Sequence, residues 1–256
     1  MRRTFLRTLV VLAVLFGFGF AKLRFEQNLT EEHRREFFHG AKFSLGLRQQ
    51  IGQFGFVAAL SGFRAAIADV LYIRAHTAWE ATQWLRMAEL YNCVTALQPR
   101  VVLFWDTAAW HMAYNASVAA REDRRQPREA LRIKAQKEFF ELGRDFLERG
   151  IQNNPDRYQL YLCLGNLYRD KFHDHAKAAE QFRLGAQISD APSYLHRFAV
   201  YELAQVPGKE REAYQRLRAL YLKSKDEHLP TLLTHLKRLQ VSLQIPEDQR
   251  VKIQEE

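Results

Sequence analysis

Cysteine and proline are scarce in this chain, and each scarcity excludes something. Two cysteines in 256 residues, Cys93 and Cys163, cannot build the disulfide framework on which small extracellular domains depend. Each sits in an apolar stretch and is expected to be an unpaired, core-filling thiol. Only 7 prolines and 12 glycines interrupt the chain, so long segments run without a helix breaker. Runs of alternating apolar and polar residues, the mark of half-buried strands, are also rare. Reaction motifs are missing as well. There is no GxGxxG, no GxxxxGK(S/T), no GxSxG elbow, no HExxH and no paired CxxC. The one histidine-rich spot, His173-x-His175 with Asp170 and Asp174 nearby, lacks the convergent further ligands of a structural metal site. No catalytic, cofactor-binding or metal-binding residue is therefore assigned, and no small-molecule cofactor is expected.

What is present favours helix. The chain is 47% hydrophobic and 26% charged, enough for a packed core, and Leu, Ala, Arg, Glu and Gln are abundant. The fold class read from this is all-α. Basic residues outnumber acidic ones by 38 to 29, a formal charge of +9. That excess is spread among acids, with one polar cluster from Arg121 to Arg128, and is not gathered on a single element. Nucleic-acid binders concentrate charge along a phosphate track, so this surface reads as solvated and nucleic acid is not an expected partner.

Residues 1–21 carry Arg2, Arg3 and Arg7 ahead of the apolar run LVVLAVLFGFGFA from Leu9 to Ala21. A basic start followed by an apolar core is the layout of a signal peptide or membrane anchor. The uninterrupted run is short against the roughly 20 residues of a hydrocarbon-spanning helix, and cleavage after Ala21 and retention as an anchor both stay open. Either outcome places the chain in a bacterial cell envelope, anchored in the inner membrane facing the periplasm or exported to the periplasm. Residues 22–66 are expected to form a helical packing segment, with an amphipathic helix from Glu31 to Leu47 and an uncharged stretch, IGQFGFVAALSGF, from Ile51 to Phe63.

Internal repetition organises the rest. Small residues recur at Ala75 and Ala109, 34 apart, and at Gly165 and Ala199, again 34 apart. Ala109 to Gly165 is 56, one such period plus 22; Pro99 to Pro155 and Trp105 to Tyr161 are also 56. Gly143, Ala178 and Ala213 follow one another at 35. The best-formed unit reads Tyr161-x-x-Leu164-Gly165-x-x-Tyr168, then Ala178-x-x-x-Phe182, and resembles the tetratricopeptide signature. That resemblance implies antiparallel helix pairs stacked as a right-handed solenoid. Four repeats would fill residues 67–226, with units near 68–101, 102–157, 158–191 and 192–226. The extra 22 residues fall near 116–137, so one repeat is expected to have elongated helices joined near Pro127. Residues 227–256 would supply a capping helix, from Leu232 to Leu243, and a charged tail after Pro246.

The same resemblance implies a groove lined by the first helix of each pair. Register places Asp69, Tyr72, His76 and Trp79 on it, then Asp106 and Trp110, then Gln159, Asn166 and Arg169, with His196 continuing the row. In the aromatic block around them, Trp105, Ala109 and Met112 share the core-facing side, while Asp106 and Trp110 share another. The functional expectation is a non-enzymatic protein-binding scaffold or adaptor in a cell-envelope assembly, its partner a protein or peptide. A glycan- or lipid-binding accessory is the alternative. The full chain is expected in the envelope fraction of cells, and deletion of residues 2–21 should return it to the cytosol, as checked by fractionation and immunoblotting.

Overall fold

The computed structural model describes residues 62–251. Residues 1–21, the Glu31–Leu47 helix and nearly all of the 51–63 stretch lie outside the described residues. Among the described residues every regular element is helical and none is a strand. No helix among them is long and apolar enough to cross a membrane. The helices pack in pairs within two compact units, one ending at Asn154 and the other starting at Pro155.

In the first unit, α1 (Arg64–Glu80) and α2 (Trp84–Leu97) are joined through Thr82, whose φ of 55° turns the chain back without a glycine. α1 buries Ala68, Ala75 and Ala78, a stripe of methyl groups at helical spacing that lets α2 come close with Met87, Tyr91 and Val94. Phe104 from α3 (Val102–Trp110) closes the cluster over Ala68 and Val94. The α3 backbone continues without a break through a π-helical turn, His111–Ala116, into α4 (Ser117–Glu122). The long α5 (Glu129–Asn153) packs antiparallel along this rod and buries Gly143, Phe146, Leu147 and Gly150. The polar stretch holding Pro127 connects the two.

Contact between α3 and α5 depends on missing side chains. A Cβ on Gly143 would lie 2.7 Å from the Ala113 methyl and 3.0 Å from the Ala109 carbonyl oxygen. On Gly150 it would lie 3.0 Å from Trp105 Cβ. Trp105 is thereby held where its Nε1 donates to the Pro99 carbonyl at 2.9 Å, and Asn154 Nδ2 donates to the same oxygen at 2.8 Å. Arg149 reaches from α5 to Asn92 Oδ1 on α2 at 2.9 Å, its guanidinium stacked over the Trp105 and Phe146 rings. These ties join the three helices at one end.

The second unit holds α6 (Tyr158–Leu167) with a π-helical continuation, Tyr168–Phe172, then α7 (His175–Gly185), α8 (Tyr194–Leu203), α9 (Glu210–Lys223) and α10 (Pro230–Ser242). Asp174 caps α7, accepting from the Lys177 N–H at 2.9 Å. Gly208, at φ 81°, turns the chain between α8 and α9. Leu232, Leu236 and Leu239 of α10 cover Ala213 and Leu217 of α9 and Val200 of α8. After α10 the charged tail, as far as Val251, forms a short turn, Glu247–Gln249, with Arg250 Nε donating to the Ile245 carbonyl at 2.8 Å.

Two interactions of the first unit recur in the second. Tyr161 donates its hydroxyl to the Pro155 carbonyl at 3.2 Å, six residues back, as Trp105 does to Pro99. Gly185 offers a notch to Tyr161 Cβ at 3.0 Å, as Gly150 does to Trp105. Gly165, in turn, lies against the Phe182 ring, which leaves no room for a Cβ. Replacing Gly143 by Val should destabilise the first unit by about 1–3 kcal/mol through overpacking against backbone, whereas Gly208→Ala should cost through φ alone. Urea unfolding followed by tryptophan emission reads the first, since all four tryptophans precede Asn154.

Candidate functional site

The residues aligned by register separate between the two units. Asp69, Tyr72, His76, Trp79, Asp106 and Trp110 belong to the first; Gln159, Asn166 and Arg169 belong to the second. Within the first unit, α1 and α3 bring three of the six, His76, Trp79 and Trp110, together around a residue that register did not select, His111.

His111 starts the π-helical turn and is buried, 6% exposed, although its ring is polar. Trp79 lies 5.6 Å from it, Trp110 5.1 Å and Tyr91 6.0 Å, all between ring centroids. His76 lies 5.1 Å from Trp79 and extends the cluster to solvent. It also stands 3.7 Å from Glu80, one turn on, an exposed pair of small energetic weight. Tyr72 has moved inward. Its ring meets Tyr91 at 5.9 Å and Phe104 at 5.2 Å, so it serves the core more than any surface. Asp69 is exposed on α1 and Asp106 is half-buried on α3.

Burial pushes the His111 pKa below the ordinary histidine range, and the nearby His76 lowers it further. Asn115 Nδ2 lies 3.0 Å from His111 Nδ1, a contact in which the amide donates and the ring nitrogen accepts. With Nδ1 accepting, the imidazole is neutral and carries its proton on Nε2. Around this neutral ring the exposed part is mostly indole: Trp110 is 50% exposed and Trp79 half-buried. Leu103, one turn before Asp106 and Thr107, adds an exposed aliphatic surface on the same helix. The arrangement offers apolar and aromatic contact edged by an imidazole and a carboxylate, a set suited to holding a ligand and short of a nucleophile–base pair.

In the second unit Gln159 and Asn166 are half-buried on α6, and Arg169 lies in the π-helical turn, paired with Asp170 at 2.8 Å. Gln159 Oε1 is buried without a hydrogen-bond partner among the described residues. His175 donates its Nδ1 proton to Glu202 Oε2 at 2.7 Å, tying the start of α7 to α8; His173, at φ 53°, is exposed. Among the described residues no three His, Cys, Asp or Glu side chains converge to hold a metal ion. Both cysteines are thiols. Burial, with Glu89 adding to it, pushes the Cys93 thiol up to about 12, which removes the thiolate a nucleophile would need.

The sequence signal for His111 is slight: a histidine inside an aromatic block, with asparagine four residues on. An ideal α-helix would fix the direction of that side chain, but the π-helical turn that starts at His111 departs from that register. No family model matches the chain, and no curated protein matches it.

The cluster has a pH signature. In the unfolded chain His111 titrates near 6.5, higher than in the native state, so the unfolded state binds more protons between the two pKa values. Stability from this residue is therefore complete above about pH 6.5 and is lost as pH falls toward the native pKa. His111→Phe should flatten that slope for the first unit, as checked by tryptophan-monitored urea unfolding at pH 7.5 and 5.5.

Proposed function

We propose that this chain is a non-enzymatic, tetratricopeptide-like scaffold that holds another protein or peptide in a bacterial cell-envelope assembly. Its helix pairs would stack as a right-handed solenoid, with the first helix of each pair lining a shared groove. The repeat part of this reading is supported by interactions that recur 56 residues apart: Trp105 to Pro99 and Tyr161 to Pro155. The envelope part is supported by the basic start and apolar run of residues 1–21.

The observation that carries the binding role is the half-exposed Trp110, set with Trp79 and His76 around a neutral, buried His111. Indole side chains fixed by neighbouring rings lose little entropy on contact, which makes them effective anchors for a partner. Asp69 and Asp106 would add polar selection at the edges. The exposed indole also supports a second reading, an envelope glycan stacked on the aromatic face.

A photoreactive benzoylphenylalanine in place of Trp110 separates these readings. It is expected to give one discrete protein adduct in native membranes, and the same group at the exposed Leu131 of α5 should not. Uniform labelling at both positions would remove the groove proposal. Saturable binding of purified envelope polysaccharide, lost in Trp110→Ala, would move the site to the glycan reading.

A further inference from the structure

The second unit contains a surface built from none of the residues of the aromatic cluster. α8 packs against α7 on one side and α9 on the other, and along α8 the three helices leave an open furrow. Small residues create it: Ala176 and Ala179 on α7, Ala199 on α8 and Ala219 on α9. The space is about 380 Å³ toward the end of α9 and about 250 Å³ toward its start, and Arg183, Ala199 and Arg216 border both parts. Arg183 and Arg216 face each other across it. The Arg183 hydrogen bond holds the Glu180 carboxyl below the usual range, and Arg216 on the opposite wall lowers it further.

The charge along the furrow is uneven. Toward its start, Glu212 is bound by both Lys209 at 3.1 Å and Arg216 at 2.7 Å. At the wider end stand Arg183, Arg216, Lys223 and His196 with a single acid, Glu227. That acid is engaged by Arg197 at 3.1 Å in a poorly exposed ion pair. Arg183 uses Nε and Nη2 on Glu180, both at 2.7 Å, and Arg216 uses one Nη2 on Glu212, so each guanidinium keeps further N–H donors. Lys223 makes no ion pair among the described residues. The floor beneath these groups is apolar, from Ala199 and Val200.

From this geometry we infer that the α7–α8–α9 furrow binds an extended acidic peptide segment of another protein, its carboxylates on Arg183, Arg216 and Lys223 and an aliphatic side chain in the notch between Ala199 and Ala219. The 14 residues of α9 span roughly 21 Å at 1.5 Å per residue, a run that about six extended residues would cover. Nucleic acid fits less well. Glu180, Glu212 and Glu227 interrupt the basic side chains, and a continuous phosphate backbone would meet them.

The test is fluorescence anisotropy on the purified full chain in mild detergent, with a fluorescein-labelled peptide of alternating Glu and Leu, about eight residues long. Saturable binding is expected, with none for the matching Lys/Leu peptide. Arg216→Glu with Lys223→Glu should weaken it about tenfold or more, and Ala219→Trp, which fills the notch without altering charge, should weaken it too. Trp110→Ala should leave it unchanged, so failure here is distinct from failure of the aromatic site. Circular dichroism confirms that each variant is folded, and Ala219→Trp carries the test if the charge reversal is not. Equal binding of the Lys/Leu peptide, indifference to both furrow variants, or tighter binding of polyuridine RNA would overturn the inference. So would tighter peptide binding after removal of residues 252–256, because the chain's own Glu255 and Glu256 would then be the occupant.

Discussion

The packing of both units depends on helices meeting where one of them has almost no side chain. Gly143 sits on Ala109 and Ala113, Gly150 on Trp105, Gly165 on Phe182 and Gly185 on Tyr161. The Phe182 ring covers Gly165, the base of the Trp105 side chain covers Gly150 and the Tyr161 Cβ covers Gly185. Dispersion contacts are thereby gained at short range, and water is excluded from an area that two medium-sized residues would seal poorly. The arrangement is directional. Because the ring is fixed by the notch, its polar edge is fixed too, and Trp105 Nε1 and the Tyr161 hydroxyl can each reach a carbonyl at the turn that precedes the helix.

The aromatic cluster on α1 and α3 grows from the same packing. Ala75 and Ala78 keep α1 close to its neighbours, which brings Trp79 within reach of His111. The π-helical turn then inserts His111 among Trp79, Trp110 and Tyr91, where a charged imidazole would be desolvated on nearly every side. The ring stays neutral, and Asn115 satisfies one nitrogen. A buried polar group at the centre of an aromatic surface fixes the orientation of the rings around it. The two indoles thus reach the surface as a set whose geometry the core has already decided.

Charge plays a different part in the two units. Several basic residues on the helices are answered one turn away, as in Lys134 with Glu138 and Arg183 with Glu180, and such exposed pairs contribute little to stability. Arg149 is the exception in the first unit, because stacking on Trp105 and Phe146 gives it a packing role beyond its charge. In the second unit, α7 and α9 leave positive side chains above a floor of alanine and valine. The formal charge of +9 is thus not a uniform field but a mixture of local neutralisation and a few concentrated spots.

The sequence by itself determined the helical class, because that depends on preferences within a turn or two, and its recurring small residues pointed to paired helices. Apolar residues at helical spacing and breakers such as Pro155 and Gly208 mark where rods run and stop. It also marked Trp105, Ala109 and Met112 as core and left Trp110 outward, since residues four apart on one helix must share a face. The π-helical turn at His111–Ala116 was not legible, because no apolar periodicity along the chain marks where helical hydrogen bonding changes. For the same reason only the tertiary structure decided that Tyr72 turns inward, that His111 is the centre of the cluster, and that Arg183, Arg216 and Lys223 share one furrow. Those placements join residues tens of positions apart, and side-chain direction between separate helices is set by packing, which no periodicity along one chain encodes.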